Sequence, residues 1–361
     1  MKIGIFGFPK VGKTTIFNTL ALREAEISKF GSKRSDPNVG VIQVPDPRLE
    51  KLKEFHPEKK KVPAAIEYID IAGLQKGELK ESVDLKALRN VDTLAHVVRA
   101  FKDDDIPHSE GSIDPARDIR TMEEELILAD LIAVEKRLER VERDRKKMKD
   151  EALDKELESL PRLKAMLESG KPLREILLTE EEARMYRGYA FLSLKPILEI
   201  ANLGEADVRK GDRLTEEFGL AEFAAKPNMA LSFLCGKLEM EISRLPKEDA
   251  ALFLEDAGLK ESGMERIIQA SYRLSTLITF FTMDGPEVRA WPVRKGTTAV
   301  LAAGDIHSDI ERGFIRAEVV ASEGLFKVGS MAAAREKGLL RLEGKEYVVH
   351  DGDLIHFRFH V

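Results

Sequence analysis

Residues 7 to 14 read Gly-Phe-Pro-Lys-Val-Gly-Lys-Thr, which fits the spacing G-x-x-x-x-G-K-[ST]. Glycines at both ends of such a run let the backbone turn tightly, so that successive N–H groups point inward at phosphate oxygens. A helix opening near Lys13 would bring its positive N-terminal end to the same place. In this pattern the Lys13 ammonium reaches the β- and γ-phosphates. The Thr14 hydroxyl completes a Mg²⁺ shell otherwise made of phosphate oxygens and water. Gly7, Lys10, Val11, Gly12, Lys13, Thr14 and Thr15 are therefore candidate contacts for a nucleoside triphosphate, ATP or GTP, and Thr14 is a candidate metal ligand.

A second acidic position follows downstream. Ala65-Ile66-Glu67-Tyr68-Ile69-Asp70 reads as a strand that delivers Asp70 at its carboxyl end into Asp70-Ile71-Ala72-Gly73-Leu74. Such an aspartate holds Mg²⁺, usually through water, and the N–H of Gly73 can meet the γ-phosphate. Asp70 is thus the second candidate metal ligand, and Lys13, Asp70, Gly73 and Leu74 are the candidate catalytic positions.

The elements that must hold these residues are strands alternating with helices. Apolar strands are expected at Lys2–Phe6, Val39–Val44, Asp92–Ala100, Lys195–Ala201 and Met229–Leu234. That alternation predicts an α/β fold with a mainly parallel sheet covered on both faces. Asn202-Leu203-Gly204-Glu205 follows its strand where a nucleotide-binding domain reads the base, and Met229–Leu234 ends in Cys235-Gly236-Lys237. Asn202, Leu203, Glu205, Cys235 and Gly236 complete the candidate contacts. Residues 117–170 are rich in Glu, Lys, Arg and Leu, with Leu126, Leu128, Leu131, Ile132, Val134 and Leu138 at helical spacing, which predicts an inserted helical hairpin. From Phe281 onward short strands and glycine turns predict a small β-rich domain, with strands at 288–291, 313–320, 345–349 and 354–357. The expected boundaries are 1–116 and 190–277 for the nucleotide-binding domain, 117–189 for the hairpin and 278–361 for the last domain.

With 361 residues and 43% hydrophobic content, the chain can bury a sizeable core. Lys+Arg 58 against Asp+Glu 64 leaves a net charge of −6, so a nucleic-acid role would need a local basic surface. The single cysteine, Cys235, excludes a disulfide framework. Neither a secretory signal nor an apolar run near the roughly 20 residues of a membrane span is recognisable, so a cytoplasmic protein without membrane contact is expected. His350, His356 and His360 share one terminal strand region, with no cysteine or carboxylate cluster to complete a tetrahedral metal set.

The segments GFPKVGKTTIFNTL, DPNVGVIQVPDPRLEKL, DIAGL, HVVRAFKDDDIPHSEGSIDP, ELILADLIAVEKRLERV, KPILEIANLGEAD, KGTTAVLAAGDIHSDIERGFIRAEVV and RLEGKEYVVHDGDLIHFRF resemble, in order, the YchF or Obg-like ATPase family. The resemblance implies an inserted coiled-coil hairpin, a C-terminal β-grasp-like TGS domain and ATP hydrolysis. It also implies a ribosome or RNA partner, reached through the TGS domain and the hairpin, and a monomer. Arg289, Arg294, Lys295, Arg312 and Arg316 could contact phosphates, with Trp291 or Phe314 as a stacking surface.

Ordinary GTPases read guanine with Asn-Lys-x-Asp, whose carboxylate accepts from the N1–H and 2-amino group. Here Leu203 replaces the stacking lysine and Glu205 the aspartate, which weakens guanine selection. Leu74 stands where many small GTPases orient water with glutamine, so slow intrinsic hydrolysis is expected. The chain departs from the family at Lys10, usually Asn; at Arg34, where a switch threonine is expected; and in the glycine-poor segment 75–84. Lys10 carries the charge that K⁺ supplies in related enzymes, so hydrolysis independent of K⁺ is expected. A nucleotide-binding module without turnover and a GTP-specific enzyme remain the alternatives.

Overall fold

The computed structural model describes residues 1–24, 38–74, 83–211 and 213–360. Arg34 and residues 75–82 of the glycine-poor segment lie outside the described residues. Among those described are strands β1 (Lys2–Phe6), β2 (Asn38–Gln43), β3 (Lys60–Val62), β4 (Ala65–Asp70), β5 (Thr93–Ala100) and β6 (Ile197–Leu203). They continue with β7 (Met229–Leu234), β8 (Leu277–Thr282), β9 (Glu287–Arg294), β10 (Phe314–Ala321), β11 (Arg341–Glu343) and β12 (Asp353–Phe359). The chain divides into two compact units, Met1–Val41 with Glu67–Leu274, and Ile42–Ile66 with Ser275–Val361.

The first unit is built on a sheet of order β2-β4-β1-β5-β6-β7, in which β4/β1, β1/β5, β5/β6 and β6/β7 pair in parallel. This is the expected α/β architecture. Every residue of β5 and β6 is buried, as in parallel strands covered on both faces. Burial there includes charge. His96 on β5 lies opposite Glu199 on β6, and its Nδ1 is 2.7 Å from the carboxylate, so the carboxylate has a hydrogen-bonding partner where water is excluded.

The hairpin consists of helices Pro115–Arg145 and Glu151–Glu168. Asp114 accepts from the Arg117 N–H, and Pro115 at the first helical position costs no hydrogen bond, so the long helix begins where the sequence allows it. The arms bury Val134, Val141, Leu160, Leu163 and Leu167 between them. Arg137 clasps Glu156 through two 2.7 Å bonds. At its root, Asp130 accepts from the Leu192 and Ser193 N–H groups and the Ser193 hydroxyl, while Glu123 takes the buried Arg174 and Lys226. A carboxylate this deep is tolerated because each oxygen is hydrogen-bonded.

The second unit joins residues 42–66 to the C-terminal domain. Its sheet has the order β11-β10-β12-β8-β9-β3, with β3 parallel to β9. Phe280, Val293, Phe314, Val319, Ile355 and Phe357 pack its core against the helix Ala299–Ile306. Two expectations are corrected here. Residues 345–349 form no strand; an isolated bridge, Thr298 to Val348, and backbone bonds to residues 297–300 hold them, and the strand lies earlier at β11. Phe314 is a core residue, 6% exposed, and offers no stacking surface, because its position on β10 faces inward.

Arg48, in the helix Pro47–Phe55, ties the two segments of this unit together. Its guanidinium donates to Asp46 and to Asp351, and it lies over the Phe281 ring. Burial would raise the Asp351 carboxyl, but hydrogen bonds from Arg48 and the Thr279 N–H outweigh that and hold it below the ordinary range. Arg48→Met keeps the apolar stem and removes these bonds, so it is expected to cost about 1–3 kcal/mol in chemical denaturation. A depressed carboxyl pKa stabilises the fold above the unfolded value and loses that contribution as pH falls through the native one. The gap between wild type and variant should therefore narrow in acid.

Candidate functional site

The loop after β1 carries the phosphate-binding pattern, with helix Lys13–Glu24 behind it. Gly7 (φ 145°) and Gly12 (φ 97°) both lie in the region that favours glycine. A Cβ at Gly7 would overlap the Val97 carbonyl, and one at Gly12 the Asn202 side chain. Lys10 also has a positive φ, 64°, uncommon for a lysine, and its side chain is exposed.

Lys13 is 7% exposed and donates from Nζ to the Phe8 carbonyl at 2.8 Å. Burial pulls its ammonium down to about 8 against the opposing pull of Asp70. The Thr14 hydroxyl donates to Asp70 Oδ2 at 3.2 Å. Burial pushes the Asp70 carboxyl up, while Thr14, the Lys13 charge and Asn38 draw it back. Two hard oxygen donors at this separation suit Mg²⁺, which takes one or two protein oxygens and leaves its remaining positions to water and phosphate. A bound Mg²⁺ would neutralise charge on the phosphates, and Thr14 and Asp70 are the residues that would hold it.

The β4 end reaches over the same loop. A Cβ at Gly73 would stand 3.2 Å from Lys13 Nζ and from the Pro9 backbone, a tight fit that a side chain would have to push back. The Leu74 N–H donates to the Gly7 carbonyl at 3.1 Å, and its side chain is buried at 1% exposure. Leu74 therefore presents no polar atom to the phosphate side.

Asn202, at the end of β6, joins the remaining pieces. Its Nδ2 donates to the Val11 carbonyl and its Oδ1 accepts from the Gly236 N–H, both at 2.9 Å. Beside it opens a cavity of about 540 Å³ lined by Lys10, Gly12, Thr15, Asn202, Leu203 and Glu205, with Cys235 in its wall. Leu203 and Cys235 are buried, Glu205 is exposed, and Gly236 opens the helix Gly236–Ile242. Phe101, Asp103, Ile106, Lys237 and Met240 also line it, and sequence reasoning missed them as contacts. A signal was present in Arg99, a charge at the end of an apolar strand. It is 2% exposed and donates to the carbonyls of Phe101, Asp103 and Ile106, shaping the loop at the cavity mouth.

The histidines are placed differently from a metal set. His356 contacts Asp284 at 2.5 Å, His350 contacts the Tyr347 hydroxyl, and no cluster of three or more His, Cys, Asp or Glu forms a metal site among the described residues. No helix among them is long and apolar enough to cross a membrane.

Asn202→Ala would leave the Val11 carbonyl and Gly236 N–H without their partner. It is expected to cost about 2–6 kcal/mol in unfolding free energy, at roughly 1–3 for each buried group. Asn202→Asp keeps the acceptor for Gly236 but sets a carboxylate against the Val11 carbonyl, and should cost at least as much by thermal denaturation.

Residues 2–148 match the family described as 50S ribosome-binding GTPase, and residues 277–360 match the YchF-type GTPase C-terminal family, described as a protein of unknown function. The Ribosome-binding ATPase YchF of Bacillus subtilis is 48% identical over 362 residues, covering 99% of each chain. The Obg-like ATPase 1 of Caenorhabditis elegans is 35% identical, over 99% of this chain and 92% of its own. The solved structure of the Schizosaccharomyces pombe YchF GTPase superposes with a TM-score of 0.86 at 31% identity, covering 99% of this chain and 97% of that one.

Proposed function

This chain belongs to the YchF family, and from that premise we propose a Mg²⁺-dependent nucleoside triphosphatase that prefers ATP, turns over slowly and acts as a ribosome- or RNA-associated switch. The observation that carries this reading is the convergence of Lys13, the Thr14–Asp70 pair and Asn202 on one loop beside one cavity. The loop N–H groups and Lys13 bind and orient phosphate, and Gly73 brings a further N–H close. Lys13 rests on the Phe8 carbonyl and would exchange that bond for phosphate oxygens, whose negative charge restores its full protonation.

Nucleotide choice rests on the cavity. Leu203 is buried and cannot lie over a base as a lysine would, and Glu205 is a methylene longer than the guanine-reading aspartate. Slow turnover follows from Leu74, which offers nothing to orient water. The same observation supports a second reading, a nucleotide-sensing module without hydrolysis. Lys10, exposed and on the cavity wall, supplies a positive charge in place of K⁺.

Single-turnover hydrolysis with Mg²⁺ tests these points together. ATP turnover should exceed GTP turnover, be equal in K⁺ and Na⁺, and fall at least about a hundredfold in Lys13→Ala, as expected for loss of a preorganised charge contact. Strong K⁺ stimulation would overturn the role of Lys10. Tight nucleotide binding without turnover would establish the second reading.

For the partner, the far end of the hairpin is the better-supported surface. Its long helix has 31 residues, about 46 Å, and ends in a turn where Arg143, Lys146, Lys147 and Lys149 are exposed, with no ion pair to another described residue. Met148 stands among them, 57% exposed. In a chain of net charge −6 this concentration of cations suits a phosphate backbone. In the C-terminal domain, Arg289 stacks on the half-buried Trp291 at 4.1 Å and Arg312 pairs with Asp309, which leaves those two less free. Exchanging the four tip cations for Gln should weaken binding to ribosomal RNA at low salt and reduce the slope of log affinity against log salt by about 3 to 4. An unchanged slope would remove the tip from the interface.

A further inference from the structure

Glu205 does not stand alone at the cavity. Its Oε1 lies 2.7 Å from Nζ of Lys237, in the first turn of the helix after β7, and both residues line the cavity beside Asn202 and Leu203. We propose that Lys237 is a specificity-determining residue, which disfavours guanine by occupying the carboxylate oxygen that guanine would need. The proposal deepens the reading of this cavity as the base site and rests on it.

Guanine presents two adjacent donors, N1–H and the 2-amino group, and a carboxylate accepts from both most strongly when neither oxygen is shared with a competing cation. With the Lys237 ammonium on Oε1, one of these oxygens is shared and the negative charge is partly offset. Guanine must compete with Lys237 for Glu205. Adenine lacks this donor pair and makes no such demand. The remaining charged groups on the cavity wall do not replace Glu205. Lys10 and Lys102 are cations, and Asp103 spends an oxygen on the N–H of Asp105. Glu241, one turn further along the helix, acts on Lys237 more weakly than Glu205 does. Selectivity of this kind is a penalty on the wrong ligand in place of a bond to the right one. Because Lys237 lies outside the Asn202–Glu205 stretch, comparison of that stretch alone would miss it.

The pair is exposed, with side chains 71% and 54% accessible, so the expected effect is modest. Calorimetric titration of the full chain with Mg·ADP and Mg·GDP reads binding without turnover. Lys237→Ala should tighten GDP by about threefold to fivefold and leave ADP within about twofold. The double variant Glu205→Ala, Lys237→Ala should lose that gain, since the freed carboxylate is its source. An unchanged GDP affinity in Lys237→Ala, an equal gain for both nucleotides, or a gain that survives without Glu205 would each overturn the proposal. A wild type that favours ADP, with an unchanged ratio in the variant, removes Lys237 alone. A wild type that binds neither nucleotide, or favours GDP, removes the parent reading as well.

Discussion

The side-chain amide of Asn202 is the bond on which the site depends. One planar group accepts from the N–H that opens the helix after β7 and donates to a carbonyl of the phosphate-binding loop after β1. An amide can bridge them because it offers a donor and an acceptor a fixed distance apart. Gly12 is shaped by the same contact, since a side chain there would collide with Asn202. The loop after β1 and the neighbouring cavity wall are thereby held together by one side chain.

A similar economy holds in the layer behind the site. Charged residues are buried in pairs, His96 with Glu199 across two parallel strands and Glu123 with Arg174 and Lys226 at the root of the hairpin. Asp130 is satisfied by backbone N–H groups and one hydroxyl. Such groups are costly if a partner is removed, which makes the docking of the hairpin on its unit specific in orientation.

The segment 42–66 shows how far sequence neighbours can part. The chain leaves the first unit within β2 and returns within β4, and between them it contributes β3 and the Arg48 helix to the C-terminal unit. Asn38, at the start of β2, bonds Asp70 beside the phosphate loop, and Arg48, ten residues on, is fixed to Asp351. One short stretch therefore reaches the Thr14–Asp70 corner at one end and the C-terminal sheet at the other.

What the sequence determined by itself was whatever depends on local spacing. The glycines and Lys13-Thr14 declared an anion cradle, the alternation of apolar strands declared a parallel sheet, and the helical period of residues 117–170 declared the hairpin, because each follows from rules spanning a few turns of chain. The same local character carried the family resemblance. The tertiary structure alone decided which distant groups meet. It put Phe101, Lys237 and Met240 on the cavity wall, drew residues 42–66 into the C-terminal unit, and buried Phe314 while leaving 345–349 outside the sheet. No periodicity marks such residues, since a strand's inward face and a loop's far partner are fixed by packing between segments tens to hundreds of positions apart. Arg48 and Asp351, or Asn202 and Val11, become neighbours only when the core closes, and their pairing is a property of the fold and not of either stretch.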